Sequence, residues 1–182
     1  MHIGSCRRGG EGKPGSRSVS SPTSAEAEAS QRRAALTLET AKAMKSGLSD
    51  DEAAEAGARM VVGNIVQGEL QQGEAVRAEG CAFGVSVDSA RAAYLVVTDR
   101  RVLSTFIWDP SPVVSLRFDD VVRVQSETPN WLTVVWKPAD LTLQRAARIV
   151  GNASGELDSV FGFGQDEKGV VLRSSILARL DG

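Results

Sequence analysis

The chain has 182 residues, 42% of them hydrophobic, and a formal net charge of −2. That length allows one domain with accessory segments, and that apolar content excludes a wholly disordered chain. The charge balance argues against general nucleic-acid affinity, which needs a basic excess, so nucleic acid is not expected as a partner.

Residues 1–24 are rich in Gly, Ser, Arg and Pro and nearly free of large apolar groups. They offer too little surface to offset ordering entropy, and the expectation is a mildly basic disordered tail. The spacing of Ala35, Leu36, Leu38, Ala41 and Met44 predicts a helix over 25–46, ended by Gly47 in a left-handed conformation. Ser49-Asp-Asp-Glu52 has capping-box form and starts a second helix over 50–66. Its expected apolar stripe is Ala53, Ala56, Met60, Val61 and Ile65. Small residues on both helices permit close approach, so 25–68 reads as an antiparallel helical pair.

After Gly73 the period changes to two. Strands are expected over 74–85, 94–98, 102–108, 114–118, 121–125, 131–136, 141–146 and 159–163, divided by turns at Asp99-Arg100, 109–112, 128–130 and 137–140. Val102, Phe106 and Trp108 fall on one face of their strand. The last segment reads as a helix with the stripe Leu172, Ile176 and Leu180, widened by Val170 and Leu177. Short antiparallel strands without βαβ alternation favour a sandwich or barrel, closed by that helix.

Tyr94-Leu-Val-Val-Thr-Asp-Arg-Arg-Val-Leu103 resembles the strand–Thr-Asp-Arg-Arg–strand signature of bacterial pleckstrin-homology-like (PH-like) domains. Val114-Ser-Leu-Arg-Phe-Asp-Asp-Val-Val-Arg-Val124, and Phe161-Gly-Phe-Gly164 followed by an amphipathic helix, are similar to later segments of that family. The resemblance covers about 70–182. It implies a mainly β fold: a seven-stranded, partly open barrel of two near-orthogonal antiparallel sheets, capped by a C-terminal helix. It also implies a non-enzymatic scaffold for lipids, peptides or proteins, and it makes the Asp99–Arg101 turn structural, with one arginine solvated and the other packed along its stem.

The chemistry of the residues agrees with a non-enzyme. His2 is the one histidine, and Cys6 and Cys81 lie far apart, so metal-ligand spacing and a Cys–His pair are both missing. Neither a disulfide nor a cofactor is expected. Asp50-Asp51 and Asp119-Asp120 read as a helix cap and a strand bend. No apolar run reaches transmembrane length and no signal-like h-region is seen, so cytoplasmic residence is the expectation. The three candidate binding residues are Arg77, Arg91 and Trp131. By family analogy Arg77 and Arg91 would flank the barrel mouth, and Trp131 is the tryptophan most apt for partial exposure. Glu74, Glu79 and Asp88 leave that mouth near neutral, which disfavours a phosphate-rich lipid headgroup. The expected function is therefore protein–protein interaction or self-association. Peripheral lipid binding through Arg77, Arg91 and the basic tail is the alternative.

Overall fold

The computed structural model describes residues 23–86, 89–108, 113–137, 139 and 155–180. Of the tail expected over 1–24, residues 1–22 lie outside the described residues, as do the 109–112 break, residues 138 and 140 of the 137–140 turn and the 141–146 strand.

Helix α1 (Ser24–Lys45) begins at a capping box. The Thr23 hydroxyl accepts the Glu26 N–H, and Glu26 accepts the Thr23 N–H at 2.7 Å. It ends where Gly47 takes φ +94°, a conformation that glycine adopts without a Cβ penalty. Helix α2 (Asp50–Ala58) opens with Glu52 accepting from both the N–H and the hydroxyl of Ser49. A π-helical turn (Arg59–Gly63) joins it to the short α3 (Asn64–Gln67).

The buried line of this second helical run is Ala53, Gly57, Ala58, Val62 and Val66. Met60 and Ile65, expected to be inside, are exposed. The expected stripe is out of phase by about one residue, which turns it through roughly 100° on a helix. The cause is glycine. Gly57 lies against Thr40, whose backbone nitrogen is 3.0 Å from where a Cβ would stand. Gly63 faces the Tyr94 ring at 3.3 to 3.4 Å. A residue without a side chain adds nothing to a hydrophobic pattern, yet both mark the faces that pack closest.

Among the described residues seven strands follow: β1 (Val76–Ser86), β2 (Ser89–Thr98), β3 (Arg101–Phe106), β4 (Val114–Arg117), β5 (Val121–Thr128), β6 (Trp131–Trp136) and β7 (Leu157–Gly162). They form one antiparallel sheet in the order β4-β3-β2-β1-β7-β6-β5. The two sheets that the resemblance implies are one ladder here, because Phe83, Gly84 and Val85 pair with Gly162, Phe161 and Val160. β4 and β5 are not paired, so the sheet is not closed; a 3-10 turn (Phe118–Asp120) connects them.

One core lies inside the curve of this sheet. Leu95, Val97, Val102, Leu132, Val134, Trp136 and Phe161 meet Leu172 and Ile176 of α4 (Glu167–Leu180) there. Val170 is exposed and does not widen the stripe of α4, whereas Leu177 and Leu180 pack against this core. The second core lies on the outer face. Leu36, Ala58, Val62 and Val66 of the helices cover Tyr94, Val96, Leu103 and Ile107. Consequently every residue from Tyr94 to Thr98 is at most 1% exposed. The Tyr94–Val97 run is apolar at successive positions because β2 is buried on both faces.

Candidate functional site

The Thr98–Arg101 turn is consumed by structure. Thr98 Oγ accepts the N–H groups of Arg100 and Arg101 and donates to Glu74 at 2.7 Å. The Asp99 carboxylate accepts the Ala75 N–H at 3.0 Å, and this bond holds its pKa below the ordinary value. Arg101 pairs with Glu74, whose side chain has no exposure. Arg100 is exposed.

Arg77 and Arg91 do not meet. Arg77 is the bulged residue of β1, near Asp99 at the β2–β3 turn. Arg91 pairs across from Gly84, close to the other end of the β1–β2 hairpin, and its guanidinium stacks 5.6 Å from the Phe106 ring centroid. Seven residues of strand separate Arg77 from Gly84, roughly 23 Å.

Trp131 has a different setting. It pairs with Gly162 of β7, which pairs on its other side with Phe83 of β1, which pairs in turn with Ala92 of β2. Directly paired residues share a face, so these four form one row across the outer surface. A Cβ on Gly162 would stand 2.8 Å from the Trp131 ring, so the ring lies flat over that glycine toward β1.

Phe83 is 51% exposed and opens onto a groove of about 700 Å³. Leu36 and Ala58 of the helical pair line it on one side, Cys81 and Ala92 of the sheet with Ile107 just after β3 line it on another, and Gly164 before α4 and Gly169 within it also contribute to the lining. Trp108 also lines it and is 53% exposed. The groove exists because the helices cover β2 and β3 but leave the Phe83 end of β1 open. Its volume is in the range of pockets that take a small ligand or a few side chains. Its charged lining is acidic: Asp51, Glu55 and Asp166 stand against Lys168 alone. Lys168 pairs with Glu55, and that bond raises the lysine's pKa. Burial pushes the Cys81 thiol up to about 11, with the Glu55 charge adding to the shift. At neutral pH it is a neutral, apolar floor group rather than a nucleophile.

Phe83 and Trp108 escape the reading of the sequence. Alternation along 102–108 puts Trp108 in the core, but β3 ends at Phe106 and Trp108 follows in a bend. The signal that could have found Phe83 is the two-sided run of β2. It implies a covering layer, and Phe83 lies on the covered face opposite Ala92, where that layer stops.

Among the described residues no three His, Cys, Asp or Glu side chains gather to hold a metal ion. No helix among them is long and apolar enough to cross a membrane. No family model and no curated protein matches the chain.

Proposed function

We propose that this chain is a non-enzymatic binding module on a PH-like scaffold. Its groove between the helical pair and β1 receives an apolar segment of a partner protein that carries lysine or arginine. The observation that carries the reading is the pair of half-exposed aromatics, Phe83 and Trp108, that line an apolar groove. Large exposed aromatics over a desolvated floor are the usual anchors of protein recognition. Asp51, Glu55 and Asp166 against one lysine select a basic partner over an acidic one. Trp131, in the Phe83 row, extends the apolar strip beyond the groove. The strand order of consecutive hairpins and the C-terminal helix packed on β1 support the PH-like scaffold. The lipid alternative draws no support from Arg77 and Arg91, which sit at opposite ends of the β1–β2 hairpin.

A peptide-display selection on the full chain, counter-selected against the Phe83→Ser/Trp108→Ser double variant, tests this. Enriched peptides are expected to carry spaced apolar residues with at least one Lys or Arg. Each single variant should weaken them about tenfold or more. Enrichment of acidic peptides, or none over the double variant, would refute the reading. A wild-type dimer in light scattering that the double variant abolishes would make a second copy the occupant and refute the basic partner.

A further inference from the structure

A second pocket lies away from the groove, at the end of the sheet where Arg77 rather than Arg91 sits. It has a volume of about 410 Å³ and is lined by Arg100, Arg101, Arg117 and Arg179, with Asp99, Asp119 and Phe118. Four elements converge on it: the β2–β3 turn, β4, the 3-10 turn after it and the last turn of α4. The convergence is pinned, since the Phe118 N–H donates to the Arg100 carbonyl at 3.0 Å.

The arginines are not equivalent. Arg101 is fully employed: Nε and one terminal nitrogen bond Glu74, the same nitrogen reaches the Glu69 carbonyl, and the other bonds Ser115. Arg117 sits directly opposite Arg101 in the β3–β4 register, a like-charge placement that costs stability. It pairs with Asp119 at 3.3 Å, a carboxylate that is 84% exposed. The guanidiniums of Arg100 and Arg179 make no hydrogen bond or ion pair among the described residues. Glu74 neutralises Arg101, so in the lining three arginines face Asp99 and Asp119, and Asp99 is already bonded to the Ala75 N–H. Asp99 feels the charges of both Arg100 and Arg77, so Arg77 adds positive charge beside the lining, and Glu69 near Arg101 opposes it. A local cationic excess remains in a chain of net charge −2.

We propose that this pocket binds a phosphate group, as a phosphomonoester or diphosphate, between Arg100, Arg117 and Arg179. Guanidinium forks match phosphate oxygens in pairs, and a dianion offsets the like charges that the β3–β4 register sets face to face. Arg101, anchored on Glu74, is a positioning residue that holds the turn carrying Arg100. Phe118, half-buried in the lining, gives an organic substituent a surface to lie on. This site is independent of the groove.

The test titrates inorganic pyrophosphate into the full chain at low ionic strength. It follows the arginine side-chain N–H signals by NMR and the heat by calorimetry. Saturable binding is expected, with shifts at Arg100, Arg117 and Arg179 and none at Arg91. Arg100→Ser/Arg179→Ser should weaken it by about tenfold or more, because charge-assisted bonds to both are lost. Both side chains are exposed, so an unchanged melting curve shows the variant is folded. A second arm floats the chain with phosphatidylcholine vesicles containing phosphatidic acid. Flotation that the double variant loses assigns the phosphate to a lipid headgroup. Pyrophosphate binding without flotation assigns it to a free ligand. No binding in either arm, or binding that the variant leaves unchanged, overturns the proposal.

Discussion

Glu74 precedes β1 and ties three elements together, so its removal gives the sharpest test of how the fold is held. Its carboxylate accepts from Arg101 twice at 2.8 Å, from the Thr98 hydroxyl at 2.7 Å and from the Gln71 N–H at 2.9 Å. It has no exposure, and the Arg101 side chain only 12%. Glu74→Ala strips all four bonds and leaves a nearly buried guanidinium uncompensated, which costs about 3–5 kcal/mol. For a chain of this size that lowers the melting temperature by roughly 10 °C. Glu74→Gln keeps the shape but not the charge and should cost about half as much, since bonds to charged groups are worth roughly 1.5–3 kcal/mol. The hydrogen bonds from Arg101, joined by those from Gln71 and Thr98, hold the Glu74 carboxyl at about 2, against 4.5 for an ordinary glutamate. Its folded-state pKa is depressed, so its stabilisation is complete above pH 4.5 and is lost as the pH falls toward 2. Urea unfolding of the wild type and the Gln variant across that window is the assay. The stability gap between them should close with acid. A Glu74→Ala cost below about 1 kcal/mol, or a gap that ignores pH, would refute the argument that this carboxylate is an ionised clamp.

Gly57→Ala should destabilise by about 1–3 kcal/mol, since the added Cβ meets the Thr40 side chain and backbone; a net gain from the better helix propensity of Ala, read by thermal melting, would show that α1 and α2 are not in this contact. Cys81 should resist alkylation by iodoacetamide at neutral pH, with a rate that climbs as the pH approaches 11; rapid labelling at pH 7 would mean the groove floor is open to water. Deleting residues 1–68 should leave a sheet that aggregates, because Tyr94, Val96, Leu103 and Ile107 lose their cover; a soluble, monomeric product in light scattering would contradict the two-core arrangement.

The elements were largely legible in the sequence because local chemistry sets them. Ser49 and Glu52 announce a helix start, Gly47 a helix stop, and 131–136 a strand, all without long-range information. What could not be read is which face each element turns inward. The apolar stripe of the second helix is out of phase with its buried line because its closest contacts are glycines. Alternation puts Trp108 on the face of Val102, but β3 ends at Phe106, before that alternation reaches it. The groove depends on where the helical pair stops on the sheet, and nothing local encodes that footprint.

The Thr98–Arg101 turn shows why a recognisable motif says little about function here. Thr98, Asp99 and Arg101 each satisfy a neighbour: Thr98 the turn's own N–H groups, Asp99 the start of β1, Arg101 the clamp on Glu74. That spends three of its four side chains on geometry and leaves Arg100, which the fold does not need, facing a pocket with Arg117 and Arg179. Function in this chain is therefore to be sought in residues the architecture leaves over. Phe83 and Trp108 at the groove, and Arg100 and Arg179 at the second pocket, are exposed at a cost in solubility or charge repulsion that packing does not repay.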